Sequence, residues 1–151
     1  MGRQTVIEQI RREINPELYH QIREEWKTHS IAEDNRDIEG LMSTLTDDCV
    51  YEVVQTGAQW HGKAGATQFY TQLLTAFPDI HFDLQNIVIG PQGVWEEARV
   101  TATHSGDWLD YKATGRPIEF DVLILFPWDM EKHKFSGERV HVFGLDELLR
   151  A

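Results

Sequence analysis

The stretch VWEEARVTATH, residues 94–104, decides the fold, because its side chains alternate in the manner of a long β-strand. Its odd-numbered positions are mostly polar, and its even-numbered positions are mostly apolar. The even-numbered set is therefore predicted to face the interior, and it consists of Val94, Glu96, Ala98, Val100, Ala102 and His104. Two ionisable side chains, Glu96 and His104, thus stand in an otherwise apolar row.

Further strands are predicted on both sides of this stretch. Residues 80–89 precede it across the turn GPQG, and residues 118–126 and 134–143 follow it, with a turn at 129–133 between them. Consecutive strands joined by short turns form hairpins, so this part of the sheet is predicted to be antiparallel. The even-numbered residues of 118–126 are all apolar and should face inward, but both faces of 134–143 are mixed and leave its orientation open.

The first half of the chain is predicted to be mostly helical. Apolar residues recur at helical spacing in residues 6–14, 16–33, 38–45 and 63–77. The first of these segments predicts an extra N-terminal helix within residues 1–15. A strand at 49–54 and a loop at 55–62 are predicted before the helix at 63–77. Helices followed by a series of strands are typical of α+β proteins in which helices pack on one face of a curved sheet. Such a sheet leaves a hollow at one end, where a small ligand would bind.

The composition predicts one globular domain, residues 1–151, and excludes several classes of partner. The formal net charge of −11, from 25 acidic and 14 basic residues, argues against nucleic acid as a partner. No run of about 18 apolar residues occurs, so no association with a membrane is predicted. Cys49 is the single cysteine, which excludes an internal disulfide and favours a cytoplasmic location.

Four segments resemble a known family. They are DIEGLMSTLTDDCVYE (37–52), WHGKAGATQFYTQLLTAFPDI (60–80), THSGDWLDYKATGRPIEF (103–120) and KFSGERVHVF (134–143). Together they resemble the SnoaL-like polyketide cyclase and ester cyclase group of the nuclear transport factor 2-like superfamily. The resemblance implies a cone-shaped barrel, in which N-terminal helices pack on a curved, mostly antiparallel sheet. It also implies a homodimer, which the apolar Leu123 and Leu125 on the outer face of the sheet favour independently.

The same resemblance implies a proton-transfer enzyme of the cyclase, isomerase or hydratase type. In such cyclases a histidine and an aspartate line the cavity, the aspartate acts as acid and base in an aldol ring closure, and neither a metal nor a cofactor is needed. The histidine of the T-H-x-G motif corresponds to His104. The chain departs from the pattern where Ile124 and Phe143 stand at positions that are expected to be acidic, which leaves Glu138 as the remaining acidic candidate beside Glu96.

Two residues are therefore predicted to be catalytic, His104 and Glu138. The predicted binding residues are the aromatic, apolar and ionisable side chains expected near the cone, namely Tyr51, Trp60, Glu96, Trp108, Phe120, Ile124 and His141. No metal ligands are predicted, since the histidines lack H-x-H or H-x-x-x-H spacing, and the resemblance implies that no cofactor is needed. The predicted partner is a small hydrophobic molecule. The alternative hypothesis is a non-catalytic cone that binds such a molecule and dimerises.

Overall fold

A computed structural model describes residues 5–150. Its helices are α1 (Val6–Arg11), α2 (Pro16–Asp34), α3 (Ile38–Met42), α4 (Gly62–Ala76) and α5 (Leu145–Leu149). The caps follow the sequence closely: Thr5 and Glu8 form a capping box at α1, and Asn15 caps α2 with proline at the first helical position. Residues 1–4 of the predicted N-terminal segment lie outside the described residues. No helix within residues 5–150 is both long enough and apolar enough to cross a bilayer.

Six strands form one curved sheet. They are β1 (Leu45–Val53), β2 (Ala58–His61), β3 (His81–Gly90), β4 (Gly93–Thr103), β5 (Pro117–Asp129) and β6 (Lys134–Val142), and their order in the sheet is β2-β1-β6-β5-β4-β3. All neighbouring pairs are antiparallel except β1 and β6, which are parallel. The sheet is thus mixed and not closed, and the predicted α+β class is confirmed.

The predicted loop at 55–62 was wrong in part, because residues 58–61 form strand β2. This strand pairs antiparallel with the end of β1, and Gly57, with a φ of +73°, allows the tight turn between them. Strand β1 also begins four residues before the predicted strand, at Leu45. Its register with β6 is irregular between Leu45 and Val50, so the polar residues in between do not follow the alternation of a regular strand.

The interior of the curved sheet faces the helices. The even-numbered residues of β4 and β5 are predominantly buried, as the alternation predicts, and the same is true of Glu138, Val140 and Val142 in β6. This orientation of β6 was open in the sequence, and the structure settles it in favour of the row that contains Glu138. A buried carboxyl group therefore stands in the middle of the inner face.

Candidate active site

The inner face of the sheet and the helices enclose a narrow cavity with a volume of about 50 Å³. Its walls are mostly aliphatic and aromatic, and helix α5 contributes Leu145, Leu148 and Leu149 to one side. Among the described residues that line it, Glu33 and Glu138 are the only ones with a carboxyl group. An apolar cavity with a few converging polar groups is the usual form of a small-molecule site.

Glu138 is the centre of a buried hydrogen-bond network. Its side chain projects from β6, and the whole residue is only 3% exposed. The hydroxyl of Tyr70, from α4, donates to Glu138 Oε2 at 2.5 Å, and Nε2 of His29, from α2, lies 3.2 Å from the same oxygen. The hydroxyl of Tyr51 lies 2.8 Å from that of Tyr70. Two elements, α2 and α4, thus supply polar partners to one carboxyl group, as burial of such a group requires, and β1 extends the network through Tyr51.

His29 connects this network to α2 and to the residues that follow α3. Its Nδ1 lies 2.8 Å from Thr44 Oγ1, and both residues are buried. Burial alone would lower the pKa of His29, but the hydrogen bond and the charge of Glu138, together with the charge of Glu25 and that of Glu33 where it is ionised, outweigh it. The pKa of His29 is therefore raised, which favours the charged imidazolium beside Glu138.

Glu33 lies one helical turn after His29, so both side chains stand on the same face of α2. Glu33 is partly exposed, and it is one of the residues that line the cavity. Loss of hydration raises its pKa to about 8, and the nearby charge of Glu138 adds to this increase. At neutral pH the Glu33 carboxyl is therefore mainly protonated and can donate a proton into the cavity.

His29, Glu33 and Glu138 also have the composition of a metal site. One ligand atom from each lies within 4.8 Å of the other two, close enough to share one cation after small adjustments. However, Tyr70 and His29 already approach Glu138 Oε2 at hydrogen-bond distance, and a cation would have to displace the protons of these contacts. The contacts that are present are those of a proton-sharing cluster, and the chemistry they support directly is acid–base chemistry.

The predicted site residues divide into two groups. Trp108, Phe120, Ile124 and Glu138 line the cavity. The other five do not line it. Tyr51 is buried and contacts Tyr70, and Glu96 is buried in β4. Trp60 borders a neighbouring groove and donates from Nε1 to Gln72, and the positions of His104 and His141 follow below. Burial, followed by the charge of Glu138, raises the pKa of Glu96 to about 8.

His104 is completely buried but is not among the residues that line the cavity. It comes directly after β4, where its ring stacks on Phe77 with 5.3 Å between the ring centroids. Its Nδ1 lies 3.1 Å from Thr114 Oγ1, and its Nε2 has no hydrogen-bond partner. Burial and the nearby charge of Arg116 lower its pKa, which favours the neutral ring. These contacts fit a histidine that packs beneath the wall of the cavity.

His141 lies on the outer face of the sheet. It alternates with the inward-facing Val140 and Val142, and its ring stacks on Trp95 of β4 with 6.0 Å between the centroids. Trp95 is 41% exposed, so this pair stands on the face for which the sequence predicts a homodimer contact. His141 is thus separated from the cavity by the sheet itself.

Three residues of the network, His29, Glu33 and Tyr70, were not among the predicted site residues. The apolar stripe of α2 contains Leu18, Ile22 and Trp26, and the same helical spacing continues to His29 and Glu33. Following this stripe for two more turns would have placed both ionisable residues on the buried face. Tyr70 gave no comparable signal, because a tyrosine on an apolar helical face is usually a packing residue.

The sequence profile of the SnoaL-like polyketide cyclase family matches residues 17–134, and the chain belongs to this family. No functionally curated protein matches it significantly.

Among solved structures, a SnoaL-like polyketide cyclase candidate from Jannaschia sp. CCS1 is similar, with a TM-score of 0.76 and 18% identity over 93% of this chain and 98% of the other. IdmH, a polyketide cyclase candidate from Streptomyces antibioticus, has a TM-score of 0.66 and 20% identity over 83% and 94%. TerC, which was co-crystallised with polyporic acid, has a TM-score of 0.68 and 14% identity over 85% and 98%. At these identities the similarity establishes the nuclear transport factor 2-like fold alone.

Proposed function

We propose that this protein is a cofactor-independent enzyme that transfers protons on a small, uncharged, hydrophobic carbonyl or hydroxylated compound. The observation that carries the proposal is the pair of carboxyl groups, Glu33 and Glu138, in an otherwise apolar cavity. Enzymes of this kind need an acid and a base whose protonation states differ at the same pH, and different surroundings of two carboxyl groups achieve this. Membership of the SnoaL-like family supports the same class of reaction.

The two carboxyl groups are suited to opposite roles. Glu138 accepts hydrogen bonds from its neighbours and is placed to act as the base, and Glu33 is mainly protonated and is placed to act as the acid. In the simplest step, Glu138 removes a proton from the carbon next to a carbonyl group, and the C–H electron pair forms the enol double bond. The Glu33 proton moves to the carbonyl oxygen, which leaves Glu138 protonated and Glu33 ionised, and the reverse transfers restore both groups.

The lining also limits the charge of the substrate. No Lys, Arg or His side chain is among the described residues that line the cavity, so an anionic group would meet two carboxyl groups without a cationic partner. The substrate is therefore expected to be uncharged in the part that enters. The cavity, at about 50 Å³, is smaller than the roughly 300 Å³ or more that is usual for the pockets of drug-sized ligands. A drug-sized substrate would therefore enter only if the walls separate, and helix α5, with only five residues, is one of these walls.

A non-catalytic binding protein is the second candidate function, and one observation favours it. Ile124, at a position where the family is expected to have an acidic residue, lines the cavity, and Phe143, at the other such position, is 54% exposed. The carboxyl groups of this cavity thus come from other positions than those of the family pattern. A binding protein would return its ligand unchanged, whereas the proposed enzyme would exchange or convert it.

Solvent deuterium exchange tests the proposed function. A panel of aromatic and alicyclic ketones would be incubated with the protein in D₂O, each beside an analogue of similar shape that carries a carboxylate. Mass spectrometry should show deuterium incorporation next to the carbonyl of uncharged members, at rates above those in buffer, and a chelator should not change these rates. Exchange that is confined to the carboxylate analogues, or that is lost with the chelator, would contradict the proposal.

A further inference from the structure

We infer that His29 is a positioning residue, which Thr44 holds as a buried imidazolium so that Glu138 remains a carboxylate inside the apolar cavity. The assignment of Glu138 as the base rests on the proposed function, but the charge of His29 does not. That charge follows from counting the hydrogens of the network, starting from its two ends.

The first end is Thr44, which is completely buried. Its hydroxyl lies 2.7 Å from the carbonyl oxygen of Leu41, and since a carbonyl can only accept, the single hydroxyl hydrogen is committed to that bond. The oxygen of Thr44 must then accept in its 2.8 Å contact with His29 Nδ1. His29 therefore carries a hydrogen on Nδ1.

The second end is Tyr70, whose single hydroxyl hydrogen is donated to Glu138 Oε2. The oxygen of Tyr70 can therefore only accept in its 3.2 Å contact with His29 Nε2, and Glu138 Oε2 also lies 3.2 Å from that nitrogen. With Glu138 Oε2 ionised, a bare lone pair on Nε2 would face two acceptors and no donor, so the Nε2–Oε2 contact must hold one proton, and the raised pKa of His29 favours its position on Nε2. His29 thus carries a hydrogen on Nε2 as well, and a ring with both hydrogens is positively charged.

The surrounding charges agree with this assignment. The charged groups that act on His29 at neutral pH are Glu25 from α2 and Glu138 from β6, and both favour the positive ring against the opposing effect of burial. Glu33, also on α2, adds to this effect only at the higher pH where it ionises. Tyr70 from α4 contributes an oxygen that accepts, and Glu96 of β4 belongs to the same cluster, since the charge of Glu138 helps to raise the pKa of Glu96. Burial of an unpaired carboxylate is unfavourable, and an imidazolium in contact with Glu138 offsets the charge of that carboxylate. The two carboxyl groups are thereby made unequal, because only Glu138 is next to the cation.

The test is ¹⁵N NMR of the histidine rings in the whole protein, with the His29 signals assigned by their loss in His29→Gln. In the wild type at pH 7, both ring nitrogens of His29 should have the shifts of a protonated imidazole. Thr44→Val keeps the shape but removes the acceptor for Nδ1–H, and it should lower the pH at which His29 loses its charge by about one unit. Thr44→Ser retains the hydroxyl and should restore the wild-type titration.

A neutral His29 at pH 7 in the wild type would overturn the inference without any variant. An unchanged titration in Thr44→Val would do the same for the role of Thr44, with circular dichroism confirming that the variant is folded. Since these measurements use no substrate, they separate the two proposals. A charged His29 in a protein that exchanges no proton on any ketone would contradict the proposed function and leave this inference intact.

Discussion

Replacement of Glu138 with Gln is expected to lower turnover by about 10²–10⁴-fold, which is the usual contribution of one general acid–base group. Glutamine has nearly the same shape, and its carbonyl oxygen can still accept the hydrogen bond from Tyr70. It cannot take up a proton from the substrate, and it leaves the charge of His29 without its carboxylate partner. The measurement is kcat with the ketone that exchanges fastest in the deuterium assay.

Glu97→Gln provides the matched control for this variant. Glu97 is exposed on the outward-facing row of β4, so its replacement removes one carboxylate from the protein without touching the cavity. The control should keep wild-type turnover, and KM for both variants should stay within a few-fold of the wild type. Turnover of Glu138→Gln within threefold of the wild type would show that Glu138 is not the base.

Stability is expected to fall as the pH rises from about 5 to above 8. The folded-state pKa values of Glu33 and Glu96 are raised from 4.5 to about 8. For a carboxyl group whose folded pKa is raised, the stabilisation is complete below the unfolded pKa and is lost as the pH rises through the folded pKa. The raised pKa of His29 acts in the same direction, because deprotonation at high pH removes its favourable contacts. The free energy of unfolding should therefore decrease over this window by an amount on the order of a few kcal/mol.

Urea denaturation at pH 5.5 and pH 8.5 measures this effect. Glu33→Gln and Glu96→Gln stay uncharged at both values, so each should reduce the difference and be more stable than the wild type at pH 8.5. Glu97→Gln again serves as the exposed control and should keep the full difference. The carboxylates with lowered pKa, such as Asp79 and Asp107, lose their contribution only at pH values below this window. Equal stability of the wild type at both pH values would mean that Glu33 and Glu96 are not held protonated.

Most of the sheet could be predicted from the sequence because its strands alternate regularly. The row from Val94 to Ala102 is buried on one side, as predicted, and β5 follows the same rule. Strand β2 was missed because four residues, AQWH, are too short for alternation to stand out from a loop. The parallel pairing of β1 with β6 was also beyond sequence reasoning, since it joins residues that are about 90 positions apart and depends on the curvature of the whole sheet.

The candidate site could be predicted only in part, for a similar reason. Glu138 was proposed because Ile124 and Phe143 stand at the positions that the family pattern expects to be acidic, but its orientation required the pairing of β6 with its neighbours. The network around it combines one residue each from α2, α4 and β1, and only the folded chain brings them together. His104 was selected by its resemblance to a family motif, and the motif gives no information on which side chains separate the ring from the cavity. Ring stacking on Phe77 is a property of the packed structure.

The central claim is that the cavity holds one ionised and one protonated carboxyl group at neutral pH. ¹³C NMR of protein labelled at the glutamate carboxyl carbon tests this directly, with signals assigned through Glu33→Gln and Glu138→Gln. At pH 7 the account predicts the shift of a carboxylate for Glu138 and mainly that of a protonated acid for Glu33, with Glu33 titrating near pH 8. Two carboxylate signals at pH 7, or a protonated Glu138 beside an ionised Glu33, would contradict it.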